Sequence, residues 1–167
     1  MEIQYTKLIP MLSYPNVDTI SAVKRMENHG SKSLKTYLDF IADTSLSDLQ
    51  EKFTQTFDMS PTTSLDLGWH LYGEAYERGA FMLKIRELLR MQGIEETSEL
   101  PDHLTHVLAA MDGLDEKNCG KFVQKYVQPA LEKIMDGFKD SDNPFQHAIL
   151  YVDELFKENF GIKTGDA

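Results

Sequence analysis

Cysteine is nearly absent from this chain: Cys119 is the only one among 167 residues, so an intramolecular disulfide framework is impossible and a reducing compartment is the natural setting. Long apolar runs are missing as well. No stretch reaches eighteen consecutive apolar residues, and Met1 to Tyr5 has neither the basic flank nor the apolar run of an export signal, so no membrane span or signal peptide is expected and the chain reads as cytoplasmic. Basic charge is scarce, 17 Lys and Arg against 27 Asp and Glu for a net charge of -10. A surface of that sign repels phosphate backbones, which argues against nucleic acid and for a basic peptide or protein as partner. Catalytic signatures are also lacking. There is no phosphate-binding loop, no G-x-S-x-G elbow and no histidine near Cys119 in sequence, so the chain reads as a non-enzyme with no cofactor.

What is present is helical periodicity, and the length suits one all-α domain over residues 1–160, a bundle of seven to nine helices, with 161–167 as a flexible tail. Short helices are expected from Glu2 to Leu12, Val17 to Asn28, Ser33 to Ala42 and Ser45 to Phe57. The last of these carries Leu46, Leu49, Phe53 and Phe57 on one face. Ser60-Pro61 reads as a cap and first turn leading into the segment Leu65 to Gly73. Glu74 to Gly93 has apolar residues round most of its circumference (Ala75, Tyr76, Gly79, Ala80, Phe81, Met82, Leu83, Ile85, Leu88, Leu89), which predicts a central helix packed on several sides. Arg86 falls on the same side as Ala75, Gly79 and Met82, and if that side is buried its guanidinium needs a carboxylate from another helix. Pro101 is expected at the first position of a helix ending near Asp112, and Leu114 to Phe138 forms a longer one bent or divided at Pro129. Asn143-Pro144 opens the final helix, with Phe145, Ile149, Val152 and Phe156 buried.

Two residue sets bear on function. Asp66, His70, Glu74 and Glu77 share a face if one helix runs unbroken through Gly73, and Glu99, His103 and His106 follow at similar spacing; a histidine/carboxylate metal site is therefore one alternative, although the Glu-x-x-His pair of di-iron bundles is missing. The other set is aromatic. Trp69, Tyr72 and Tyr76 lie within two turns of one another beside His70, as anchors of a peptide groove do. The stretch Glu95 to Glu116 contains seven carboxylates and no Lys or Arg, a rim able to receive arginines. A helical adaptor for some other basic peptide fits these features too.

A wider pattern runs through the chain: Leu12-Ser13-Tyr14-Pro15, Phe57-Asp58, Ser64-Leu65, Leu67, His70, Gly73, Arg78-Gly79, Met82, Gly93, Glu99 to Leu104, Gln128 to Leu131 and Asn143 to Phe145. In order and spacing it resembles the delta-subunit family of respiratory nitrate reductase, the NarJ-like molybdenum-cofactor assembly chaperones. These sit among the redox-enzyme maturation chaperones. The resemblance implies a partner, the catalytic subunit of a molybdenum-dependent oxidoreductase, bound through its N-terminal basic or twin-arginine-like segment while the cofactor is inserted. It also maps Glu99, Pro101, Asp102 and His103 onto the family's client-binding loop. Leu100 between Glu99 and Pro101 favours the nitrate reductase branch over the trimethylamine oxide or dimethyl sulfoxide reductase branches. On this reading Trp69, His70, Tyr72, Tyr76, Glu99, Pro101, Asp102 and His103 bind the client and no metal is held. Glu99 and Asp102 are expected to offer free carboxylates, so that replacing either spares stability, and His103 is expected to titrate near neutrality.

Overall fold

A computed structural model describes residues 4–161; Glu2 and Ile3 of the expected first helix and residues 162–167 of the expected tail lie outside the described residues. The chain is all-helical. Its elements are a 3-10 helix at Tyr5–Leu12, then α1 (Val17–Lys24), α2 (Lys32–Asp43), α3 (Leu46–Phe53), α4 (Leu67–Tyr72), α5 (Tyr76–Met91), α6 (Leu104–Met111), α7 (Glu116–Phe122), α8 (Gln128–Gly137) and α9 (Gln146–Phe160). Among the described residues the only β pairing is an isolated antiparallel bridge between Asp66 and His103. Among the described residues no helix is long and apolar enough to cross a membrane.

Local chemistry explains most boundaries. Asn16 and Thr19 form a reciprocal capping box at α1, and Ser31, Ser45 and Asp115 cap α2, α3 and α7 through their side chains. α1 ends at Lys24, four residues before the expected Asn28, and the positive φ of His29 and Gly30 lies beyond its end. The N-terminal element winds as a 3-10 helix with Pro10 inside it, and its first amides, Tyr5 and Thr6, bond to the Asp112 carboxylate at 2.9 and 3.3 Å. Single π turns extend α3 (Thr54–Asp58) and join α7 to α8 (Val123–Val127). The second immediately precedes Pro129, at the start of α8, so the wider turn absorbs the bond that proline cannot donate.

Three expectations are corrected. Ser60-Pro61 opens a turn rather than a helix: Thr63 N–H bonds to Ser60 O, Thr63 Oγ1 bonds to Thr56 O, and α4 starts only at Leu67. The central helix is α6, not α5, since every residue of α6 is buried. α5 buries only Phe81, Ile85 and Leu89, one stripe at four-residue spacing, while Tyr76 and Leu83 face solvent. Alanines and glycines counted towards its apolar circumference bring too little area to demand a neighbour. Arg86 is correspondingly exposed and pairs at 2.8 Å with Glu96, from the loop after its own helix.

Around α6 the 3-10 helix and α5 pack directly, and α4 lies against α5 and α8. A second centre is aromatic. Phe145, 1% exposed, meets the rings of Phe40, Phe53, Phe57 and Tyr37 at centroid distances of 5.3, 5.6, 5.4 and 6.2 Å, tying α2, α3 and its π turn to the start of α9. The expected α9 stripe of Phe145, Ile149, Val152 and Phe156 is buried throughout.

Candidate functional site

The site forms where the segment before α4 meets the segment before α6. Leu67 N–H donates to Asp102 O at 2.9 Å and Leu104 N–H to Leu65 O at 2.8 Å, a two-bond clip that brings side by side two segments more than thirty residues apart in the chain. Asp102, fully buried, accepts from Arg78 Nε at 2.9 Å; the same guanidinium lies 3.6 Å from Asp66. α4 approaches this pair without a side chain of its own: a Cβ on Gly68 would sit 2.5 Å from Asp102 Oδ2 and 3.0 Å from Arg78 Cγ. Neither Gly68 nor the role of Arg78 was legible from the sequence, because both depend on which carboxylate arrives from another part of the chain.

Each residue expected to bind a client has a definite place. Pro101 and Asp102 precede α6 rather than opening it, and His103 caps it, its Nδ1 accepting from Thr105 N–H at 3.2 Å. Asp102 is therefore not the free surface carboxylate expected. Glu99 remains about half exposed, with Oε2 3.8 Å from His103 Nε2. Trp69 and His70 line an open cleft of about 440 Å³ with Pro61, Thr62, Lys133 and Asp136. His70 Nε2 donates to Ser64 O at 2.6 Å and Lys133 Nζ to His70 O at 2.7 Å. Tyr72 and Tyr76 do not line this cleft. Tyr72 packs 6.3 Å from Phe81, and Tyr76, at 89% exposure, projects from the start of α5.

Electrostatically the clip gathers negative charge. Burial, with the neighbouring Asp102 carboxylate and against the pull of Arg78, raises Asp66 to about 6; Glu99 and Asp58 add to the same field. Glu99 and Asp58 are themselves shifted upward by burial. Two carboxylates, Asp66 and Asp102, thus hold one guanidinium, and Glu99 and Asp58 lie in the field of Asp66. Met59 and Leu100, adjacent to Asp58 and Glu99 in sequence, expose apolar side chains beside them. The wider acidic stretch is less available than its composition suggests, since Glu96, Asp102, Asp112 and Asp115 are engaged with Arg86, Arg78, the 3-10 amides and Asn118.

Burial pushes His103 down to about 4, with His106 a lesser cause, so it does not titrate near neutrality. In an unfolded chain the ring titrates near 6.5. Between pH 6.5 and 4 the unfolded state therefore binds a proton the native ring refuses, and this contribution to stability is lost as pH falls. Asp66 has the opposite sign: between about 4 and 6 its native carboxyl keeps a proton the unfolded chain releases, so its contribution declines as pH rises. His103→Asn, which preserves a capping acceptor, is expected to lose less stability than the parent between pH 6.5 and 4.5 in urea titrations. Parallel curves for the two proteins would refute this assignment.

The metal alternative loses its geometry. Gly73, at φ 60 and ψ -129, breaks the chain between α4 and α5, so Asp66 and His70 do not share a helix with Glu77. His106 is held in the interior by Leu100 O (2.8 Å) and Thr97 N–H (3.0 Å). Among the described residues no group of three His, Cys, Asp or Glu is placed to hold a metal. The buried Cys119 thiol is raised to about 11 by desolvation, which keeps it protonated and a poor nucleophile.

Comparison with known proteins gives concordant results. A family model described as nitrate reductase delta subunit matches residues 25–150. The nitrate reductase molybdenum cofactor assembly chaperone NarJ of two Escherichia coli strains is 31% identical over 88 residues, which is 52% of this chain and 37% of the Escherichia coli protein. The crystal structure of a protein from Archaeoglobus fulgidus, described as a redox enzyme maturation protein, aligns over 94% of this chain and 95% of that one, with a TM-score of 0.66. At 17% identity that likeness establishes the fold alone.

Proposed function

Because the chain belongs to the nitrate reductase delta subunit family, we propose that it is a cytosolic assembly chaperone for the catalytic subunit of a molybdenum-dependent oxidoreductase. It binds the basic, twin-arginine-like N-terminal segment of that subunit, carries out no reaction of its own, and keeps the segment occupied while the molybdenum cofactor is inserted.

One observation supports this most directly: Asp58, Asp66 and Glu99 are within one another's electrostatic field, with Arg78 the cation facing Asp66 and that cation already held by Asp102. Partly desolvated carboxylates in excess of their cations favour an incoming guanidinium, which pairs with them in a bidentate manner. Met59 and Leu100 supply apolar contact beside the charges, and the Trp69–His70 cleft takes an apolar side chain from the same segment. Pro101, Asp102 and His103 position Glu99 rather than touch the client.

The test is a fluorescence anisotropy titration with a labelled peptide copying the N-terminal segment of the host's molybdoenzyme subunit. Glu99→Ala is expected to weaken binding by about tenfold, one charge-assisted contact of about 1.4 kcal/mol, while leaving the melting temperature within a few degrees. An unchanged affinity would remove Glu99 from the binding surface. A parent protein that captures no molybdoenzyme subunit from its host's lysate would remove the function itself.

A further inference from the structure

Arg78 serves two carboxylates unequally. Its Nε donates to Asp102 at 2.9 Å, and its Nη2 also reaches Asp102, at 3.5 Å. Asp66 receives only an Nη2 contact of 3.6 Å, too long for a hydrogen bond. An aspartate just before a helix ordinarily accepts from the first amides of that helix, but the Asp66 side chain caps none in α4. Its carboxylate is 26% exposed, open to solvent where Asp102 is sealed.

This incomplete pairing has an energetic consequence. Burial of the Asp66 carboxyl, with Asp102 beside it, outweighs the pull of Arg78. A partly desolvated carboxylate whose cation belongs mainly to another group gains from a second guanidinium. Arg78 is itself a guanidinium at that carboxylate, so the fold displays the chemistry this position accepts. Leaving Asp102 would strand a fully buried charge, so Arg78 is free to withdraw only from Asp66. The cleft is adjacent: Trp69 N–H donates to Asp66 O at 3.1 Å, which puts the carboxylate and one wall of the cleft on a single turn.

We propose that Asp66 is the acceptor for one arginine of the bound segment and that Arg78 is its internal competitor, holding Asp66 loosely in the empty protein and yielding it while staying on Asp102. The inference rests on the function proposed above. To that function it adds which carboxylate reads an arginine and which side chain limits the affinity. The contact assigned to Glu99 is separate from this one.

The test extends the anisotropy titration into a double-mutant cycle, with each arginine of the labelled peptide replaced in turn by glutamine. Asp66→Asn is expected to weaken binding of the unaltered peptide by about tenfold. One of the glutamine replacements should cost the parent a similar factor and cost Asp66→Asn little, the signature of two groups in contact. Arg78→Lys keeps an ammonium for Asp102 without the fork that reaches Asp66, and should bind about threefold more tightly than the parent. Circular dichroism shows whether each variant is folded, and Asp66→Ser takes the place of Asp66→Asn if the latter is not. Losses that simply add for every arginine overturn the assignment of Asp66. An Arg78→Lys protein that binds no more tightly than the parent overturns the competition. A parent that does not bind the unaltered peptide fails at the earlier step, and removes the proposed function together with this inference.

Discussion

Asp102→Ala is expected to destabilise the protein by about 3–5 kcal/mol, the usual cost of removing one partner from a buried ion pair. The carboxylate is fully buried and receives Arg78 Nε at 2.9 Å, and the Arg78 side chain is itself only 20% exposed. Without Asp102 the guanidinium keeps only Asp66, at 3.6 Å. The clip between the segments before α4 and α6 then loses the side-chain interaction that backs its two backbone bonds. For a domain of this size such a loss lowers the melting temperature by roughly 6–20 °C. Arg78→Ala should be comparably harmful, because it leaves an uncompensated buried charge, and the double variant should lose much less than the sum of the two. Thermal denaturation of the four proteins measures this cycle. A melting temperature for Asp102→Ala within two degrees of the parent would show that the pair contributes nothing to the fold. Glu99→Ala provides the contrast, since Glu99 is about half exposed, and on the proposed function its loss is expected to fall on peptide binding.

Phe145→Ala is expected to cost about as much, roughly 3–5 kcal/mol for truncating a fully buried phenylalanine. Four aromatic rings surround Phe145, and none of them can fill the space without leaving its own contacts. The backbone around it is tied as well: Asn143 Oδ1 accepts from Phe145 N–H at 3.0 Å, and Asn143 Nδ2 donates to Thr56 Oγ1 at 2.7 Å, joining the start of α9 to the π turn after α3. Phe145→Leu retains most of the volume and should lose noticeably less stability than Phe145→Ala. Urea denaturation that finds a loss below about 1 kcal/mol for Phe145→Ala would mean that the cluster can collapse into the cavity.

These two positions mark the difference between what the sequence reveals and what it hides. Phe145 was legible: it begins a stripe continued at Ile149, Val152 and Phe156, and helical periodicity is a local property that survives without knowledge of the neighbours. The face of α3, the division of the long helix at Pro129, the Gly93 stop and the all-helical class were legible for the same reason. Asp102 was misread as a surface carboxylate because its partner, Arg78, lies 24 positions away and reaches it only after α4 and α5 have folded back. His103 misled similarly. Its type suggests titration near neutrality, but burial beneath the clip decides otherwise.

By itself, then, the sequence determined the helices, the sign of the surface charge, the lack of an evident catalytic group and the likeness to a chaperone family, since each rests on residue type and short-range spacing. Tertiary structure alone decided which helix is central, which of seven clustered carboxylates are engaged within the fold, and which aromatic side chains share a cleft. Burial and charge pairing are properties of segments that meet in space, and their energies depend on the dielectric and the partners found there rather than on the order of residues along the chain.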